Sequence, residues 1–98
     1  MPAKVVVACA SGMVTSHIVA GRINALFVGA GIDAVAVAVD RLRMDSELQD
    51  AAAFVPILRE PPREDVPTFN GSAFLSGVGQ EAEFRRLVAA LDADEPRG

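Results

Sequence analysis

The sequence predicts a small α/β fold: a three-layer sandwich around a mainly parallel four-stranded sheet, with strand order 2-1-3-4. Three observations lead there. Short Val- and Ala-rich runs alternate with segments of helical periodicity, the pattern of strands joined by helical crossovers. The first run, Val5-Val6-Val7-Ala8, has no polar alternation, as expected of a strand covered on both faces. The length, 98 residues, suits one domain, 1–98, able to bury roughly two-thirds of its unfolded surface.

Residues 4–8 read as the first strand, β-branched and buried. Residues 14–29 read as a helix, because Val19, Ile23, Leu26 and Ala30 recur at spacings of three and four. Gly29-Ala30-Gly31 stops it, with glycine supplying a left-handed end. Residues 33–39, DAVAVAV, form a second strand whose faces differ in bulk rather than polarity, so it too is expected to be covered on both sides. A short exposed helix falls near 45–51. Residues 52–58 make a third strand, placed at an edge or ended by Pro56, which cannot donate to a ladder. Residues 59–67, REPPREDVP, form a loop. Residues 66–69 read as a short fourth strand, and 70–72, Asn-Gly-Ser, as a link to the apolar residues 73–75. Gly77-Val78-Gly79 leads into a last helix, 80–91, with Phe84, Leu87, Val88 and Leu91 on one face. Residues 92–98 are expected to fray.

Composition excludes several function classes. Hydrophobic residues make up 51% and aromatics only 5%, so the core must be built from Val, Ala, Leu and Ile. The net charge is −4, and the nine Lys and Arg are scattered. That is unlike a nucleic-acid surface, which needs clustered positive charge, and unlike a surface for anionic lipid. One cysteine cannot form an internal disulfide. With no secretory leader and no membrane-length apolar run, the expectation is a cytoplasmic protein with no direct membrane insertion and a free, reduced thiol. No metal or cofactor is implied.

The stretch from Cys9 to Ser16 carries the chemistry. A strand delivers Cys9 into a loop of small residues, Ala10, Ser11 and Gly12, whose backbone can aim successive N–H groups inward as an anion nest. Met13 and Val14 follow, then Thr15 and Ser16 at the start of a helix whose N-terminus adds partial positive charge. Ser11, Thr15 and Ser16 offer hydroxyls to phosphate oxygens, or either Thr15 or Ser16 caps the helix instead. The same donors would stabilise a thiolate and lower the Cys9 pKa. The arrangement is like a phosphotyrosine-phosphatase cysteine loop, but that loop needs an arginine after five intervening residues to clamp the transferring phosphoryl group. Here the position is Thr15. A site that accepts a phosphoryl group, holds it and hands it on needs less of that apparatus.

The strand-Cys9-Ala10-Ser11-Gly12-Met13-Val14-Thr15-Ser16-helix stretch resembles the IIB component of the phosphoenolpyruvate-dependent sugar phosphotransferase system, with its Cys-x-x-Gly-x-x-Thr-Ser pattern near the N-terminus. Phe74-Leu75-Ser76-Gly77-Val78-Gly79 followed by Glu81-Ala82, and Val66-Pro67 followed by Asn70-Gly71, are similar to the galactitol-type IIB proteins. The chain differs after the third strand, where Pro56-Ile57-Leu58-Arg59 replaces a Thr-Thr-Ala-Arg-like stretch. The resemblance implies a relay. The Cys9 thiolate would take a phosphoryl group from a phosphohistidine on a IIA partner, and the phosphocysteine would pass it to a sugar or polyol in a membrane IIC partner. Cys9 would be the nucleophile and carrier, and residues 10–16 the phosphate-binding loop.

Two other functions stay open on the residues alone. One is a phosphatase- or arsenate-reductase-like enzyme on the same loop, disfavoured by Thr15 and by the lack of a second, resolving cysteine. The other is a non-catalytic regulatory domain. Elsewhere, His17 reads as a solvated helix residue. Arg59 and Arg63 lie where they could approach a bound phosphate or a partner, and Arg41 and Arg43 less so. Met13 and Val14 could touch a partner. Gly77 and Gly79 serve backbone geometry, and Glu81 and Glu83 complement a helix N-terminus.

Overall fold

A computed structural model of the chain describes residues 3–8, 14–40, 42–57 and 66–93. Strand β1 (Ala3–Ala8) lies at the centre of a parallel sheet, between β2 (Ala34–Val39) and β3 (Ala53–Pro56), in the order β2-β1-β3. Ala8 stands level with Val39 on one side and Pro56 on the other, so the three carboxyl ends are aligned. Parallel neighbours need crossover connections, and the helices supply them. Helix α1 (Val14–Ala30) joins β1 to β2, and the short α2 (Met44–Leu48) joins β2 to β3. Helices α3 (Gly71–Ser76) and α4 (Gln80–Ala93) follow.

Alternation along β1 builds two cores. Val5 and Val7 pack with Val19, Ile23 and Phe27 of α1, Phe74 of α3 and Leu87 of α4. Phe27 and Phe84 meet at 5.7 Å between ring centroids, tilted by 45°. Val6 and Ala8 face the other way, onto Met44 and Leu48 of α2, with Val39, Phe54 and Val66. Helices on both faces make the three layers expected. β1 has the uninterrupted burial that its Val run implied: Val5 to Ala8 are fully buried.

The sheet has three strands among the described residues, not four. Residues 66–69 do lie beside the outer edge of β3, where a fourth strand would stand, but they form one parallel bridge, Thr68 with Phe54. The Phe54 N–H donates to the Pro67 carbonyl (2.8 Å), and the Phe69 N–H to the Phe54 carbonyl (2.9 Å). Pro67 has no N–H to extend the ladder, and the chain turns into α3 at Asn70. That helix is absent from the sequence reading. Asn70 caps it, its side chain accepting from the Ser72 N–H (3.0 Å), and Gly77 ends it at φ 85° with its N–H on the Ala73 carbonyl (2.9 Å).

The second strand stands at the edge, as the order 2-1-3-4 expects, but it is not covered on both faces. β2 is an edge strand, and Val35 is 37% exposed. Its outer edge is covered by one side chain instead of a neighbour. Asn24 of α1 donates from Nδ2 to the Ala36 carbonyl (2.9 Å) and accepts at Oδ1 from the Ala36 N–H (2.8 Å). The carboxamide replaces one residue of a missing strand, which blunts the edge against pairing with another chain.

Three further features hold the layers. α1 ends as the glycines predicted, with Gly31 at φ 69°, its N–H on the Val28 carbonyl (3.2 Å) and the Ile32 N–H on the Phe27 carbonyl (2.9 Å), a Schellman pair. Lys4 ties β1 to the region of α2 through Glu47 (2.7 Å) and Asp50 (2.6 Å). The hydrogen bonds to Asp50 and then Glu47 hold the Lys4 ammonium above its ordinary pKa, and the bond from Lys4 holds Asp50 below the usual carboxylate range. Glu83, expected only to favour the helix dipole, is buried; it accepts from the Asn70 N–H (2.6 Å) and pairs with Arg86 (2.9 Å). It therefore fixes the start of α3 onto α4. The last helix runs to Ala93, slightly past the expected end at 91.

Candidate functional site

In parallel sheets, ligands collect beyond the carboxyl ends of the strands. Here that end is well defined. The Ile57 N–H donates to the Ala8 carbonyl (2.8 Å), locking β1 to the end of β3 one residue before Cys9. Gly71, at the start of α3, closes onto the same place: a Cβ there would lie 2.6 Å from the Pro56 carbonyl oxygen and 2.8 Å from Ile57 Cγ1. Residues 9–13 then connect the end of the central strand to α1. The predicted nucleophile Cys9 and the loop residues Ala10, Ser11, Gly12 and Met13 lie outside the described residues.

The other three predicted loop residues are described. Val14 is 74% exposed, Thr15 is half-buried and Ser16 is fully buried. Successive residues of a helix face about 100° apart, so these three side chains divide between solvent and core. α1 is 17 residues long and has no acidic side chain in its first turn. Its N-terminal partial charge is not offset by a carboxylate from its own first turn. An anion or a thiolate is favoured in such a place.

The described arginines are engaged elsewhere. Arg22, two turns into α1, donates to the Phe74 (3.1 Å) and Leu75 (3.2 Å) carbonyls at the end of α3. Arg43 contacts Glu47 at 3.4 Å, Arg85 contacts Glu81 at 3.7 Å, and Arg86 pairs with Glu83 at 2.9 Å. Arg41, Arg59 and Arg63 lie outside the described residues. His17 is exposed, as its helix position suggested. Gly77 and Gly79 both take positive φ, 85° and 74°, matching the backbone role assigned to them. A groove of about 230 Å³ opens on the α2 side, lined by Lys4, Val37, Asp40, Arg43 and Glu47 among others; it includes none of the predicted loop residues.

Sequence reasoning missed one contributor and left the burial of another unread. Gly71 seals the carboxyl end of β3, and only the folded chain brings it against Pro56. Ser16, read as a hydroxyl for a phosphate or for the helix cap, is fully buried. The helical spacing of Ser16 with Val19, Ala20 and Ile23 is the signal that could have placed it there. Among the described residues no group of three His, Cys, Asp or Glu is placed to hold a metal ion. Among them, too, no helix is long and apolar enough to cross a membrane.

Comparison with known proteins agrees with this geometry. The family model described as "PTS system, Lactose/Cellobiose specific IIB subunit" matches residues 4–77. That span runs from the central strand through the Cys9 connection to the end of α3. The chain is also 27% identical, over 88 residues, to the protein of Escherichia coli (strain K12) named as a phosphotransferase enzyme IIB component, SgcB. The match covers 90% of this chain and 96% of that protein.

Proposed function

Because the chain belongs to the IIB subunit family of the sugar phosphotransferase system, we propose that it is a cytoplasmic phosphocarrier with Cys9 as nucleophile and carrier. In the first transfer the Cys9 thiolate attacks the phosphorus of a phosphohistidine on a IIA partner. The S–P bond forms as the P–N bond breaks, and the electron pair stays on the imidazole nitrogen. In the second, a hydroxyl of a sugar or polyol held by a membrane IIC partner attacks the same phosphorus. The O–P bond forms, the thiolate leaves, and the hydroxyl proton passes to a base of that partner or to water. Backbone N–H groups of residues 10–16, with the α1 N-terminus, spread the charge of the transferring group in both steps.

What supports this reading is the sequence position of residue 9 relative to the described elements on either side of it. In sequence it comes next after Ala8, the end of the central strand of a parallel sheet, and five residues before a helix with no carboxylate in its first turn. Thr15 in the clamp position favours carrying over hydrolysis. The 74–79 stretch supports a galactitol-type system, hence a polyol substrate.

The test is intact-mass analysis after incubation with phosphoenolpyruvate, the general phosphotransfer proteins and a matching IIA. One phosphoryl group should appear on the wild type and none on Cys9→Ser. A Cys9→Ser protein that still gains it, or steady phosphatase turnover that dies with that substitution, overturns the reading. Adding membranes that contain the IIC partner should discharge the adduct onto a polyol; discharge onto a disaccharide instead would exclude the galactitol-type assignment.

A further inference from the structure

We infer that the exposed face shared by α1 and α3 is the docking surface for the phosphohistidine donor, a protein whose matching face is apolar with a carboxylate set against Arg22; this rests on the phosphocarrier reading above. Seven large apolar residues are exposed among those described: Val14, Ile18, Val28, Val35, Leu42, Leu75 and Val78. Four of them gather on this face. Val14, Ile18 and Arg22 are spaced by four along the first half of α1, so they form one line on its surface. Arg22 joins that line to α3, donating from Nη1 to the Phe74 (3.1 Å) and Leu75 (3.2 Å) carbonyls. Leu75 is exposed at that point, and Val78, 79% exposed, follows between Gly77 and Gly79. Apolar side chains exposed singly need no explanation, but a group rimmed by polar residues marks an interaction surface.

Charge decides what covers it. The chain carries 13 acidic residues, yet α1 and α3 contain none. Their ionisable side chains are His17 and Arg22, both exposed. The first carboxylates after Val78 are engaged on α4, Glu81 with Arg85 (3.7 Å) and Glu83 with Arg86 (2.9 Å). Both Arg22 bonds use one nitrogen of a group with five N–H donors, so the guanidinium can still take a carboxylate. The two carbonyls also hold it in place, which reduces the freedom lost when a partner binds. An apolar patch around one fixed arginine has the composition of an interface centre. The cytoplasmic loops of a membrane partner are rich in Lys and Arg, which Arg22 repels; a donor protein that presents a carboxylate is attracted. Val14 comes five residues after Cys9 in the chain, a length that spans at most about 18 Å, so a protein seated on this face can cover that distance.

The test is titration of the isotope-labelled full chain with the unphosphorylated IIA protein that charges it, followed by amide chemical shifts. Signals of residues 14–22 and 75–79 should move, and those of the groove residues Val37, Asp40 and Glu47 should not. Ile18→Asp and Val78→Asp should each weaken binding roughly tenfold, and Arg22→Gln should also weaken it. Val28→Asp makes the same charge change at an exposed site near the other end of α1 and should stay within about twofold of wild type. Val78 lies in the link between α3 and α4, so that variant keeps the test open if Ile18→Asp fails to fold. Shifts confined to the groove overturn the inference, as do folded Asp variants that bind like wild type. Equal weakening by Val28→Asp overturns it too, since net charge would then explain the loss. Slower discharge onto membranes containing the IIC partner, with donor binding unchanged, assigns the face to that partner instead and overturns it. The phosphocarrier reading fails separately, through the Cys9→Ser mass experiment.

Discussion

Gly71→Ala should destabilise the protein, and the size of the effect follows from three distances. The added methyl would lie 2.6 Å from the Pro56 carbonyl oxygen, 2.8 Å from Ile57 Cγ1 and 3.0 Å from the Pro56 carbonyl carbon. Two of the three are backbone atoms of the chain leaving β3, so the strain cannot be relieved by a rotamer change alone. Overpacking of this kind costs about 1–3 kcal/mol. Alanine's lower unfolded-state entropy returns about 0.5–1 kcal/mol. The balance is a loss centred on about 1 kcal/mol, which for a chain of this length lowers the melting midpoint by about 4–8 °C. The internal control is Gly29→Ala on α1, where nothing lies within 4 Å of the new Cβ. That variant should gain about 0.5–1 kcal/mol, a few degrees upward. Thermal melts followed by far-ultraviolet circular dichroism measure both. A Gly71→Ala protein as stable as the wild type would refute the close approach of α3 to the end of β3. A loss in Gly29→Ala as large as in Gly71→Ala would refute the argument from space.

Two further substitutions probe the edges of the fold. Stability should fall at both ends of the pH range through Lys4. Its raised pKa means stabilisation present in the neutral range and lost as pH rises through the folded-state value, while the lowered Asp50 pKa gives stabilisation lost as pH falls through its own. In Lys4→Met both limbs should flatten in melts recorded across pH; an unchanged profile would mean the ion pairs contribute nothing in solution. Asn24→Leu removes both hydrogen bonds to Ala36 and leaves buried backbone groups unpaired, a loss of about 1–3 kcal/mol. It also uncovers the β2 edge, so sedimentation should show concentration-dependent association that the wild type lacks; a stable, monodisperse variant would count against the strand-cover role.

Local information was enough for the elements whose neighbours do not matter. The Val5–Ala8 run could only be a buried strand, because nothing in it tolerates water, and the structure buries all four residues. The spacing of Val19 and Ile23 and the glycine at position 31 set the body and end of α1 through bonds that close within the helix itself, although Phe27, not the expected Ala30, completes the buried face.

What the sequence could not decide is what depends on partners distant along the chain. Asn70-Gly71-Ser72 has the same local bond, a side-chain oxygen accepting from Ser72, whether it makes a turn or caps a helix. Only Glu83 on the Asn70 N–H and the fit of Gly71 against Pro56 turn it into α3. The Ala-Val alternation of β2 specifies a strand, but not that an amide twelve residues earlier would cover its open edge. Ser16 looks like Thr15 in sequence, yet one step of helical rotation carries its hydroxyl from surface to core. Short-range periodicity is written in adjacent residues, whereas which edge is covered and which hydroxyl is buried are settled only when helix and sheet dock.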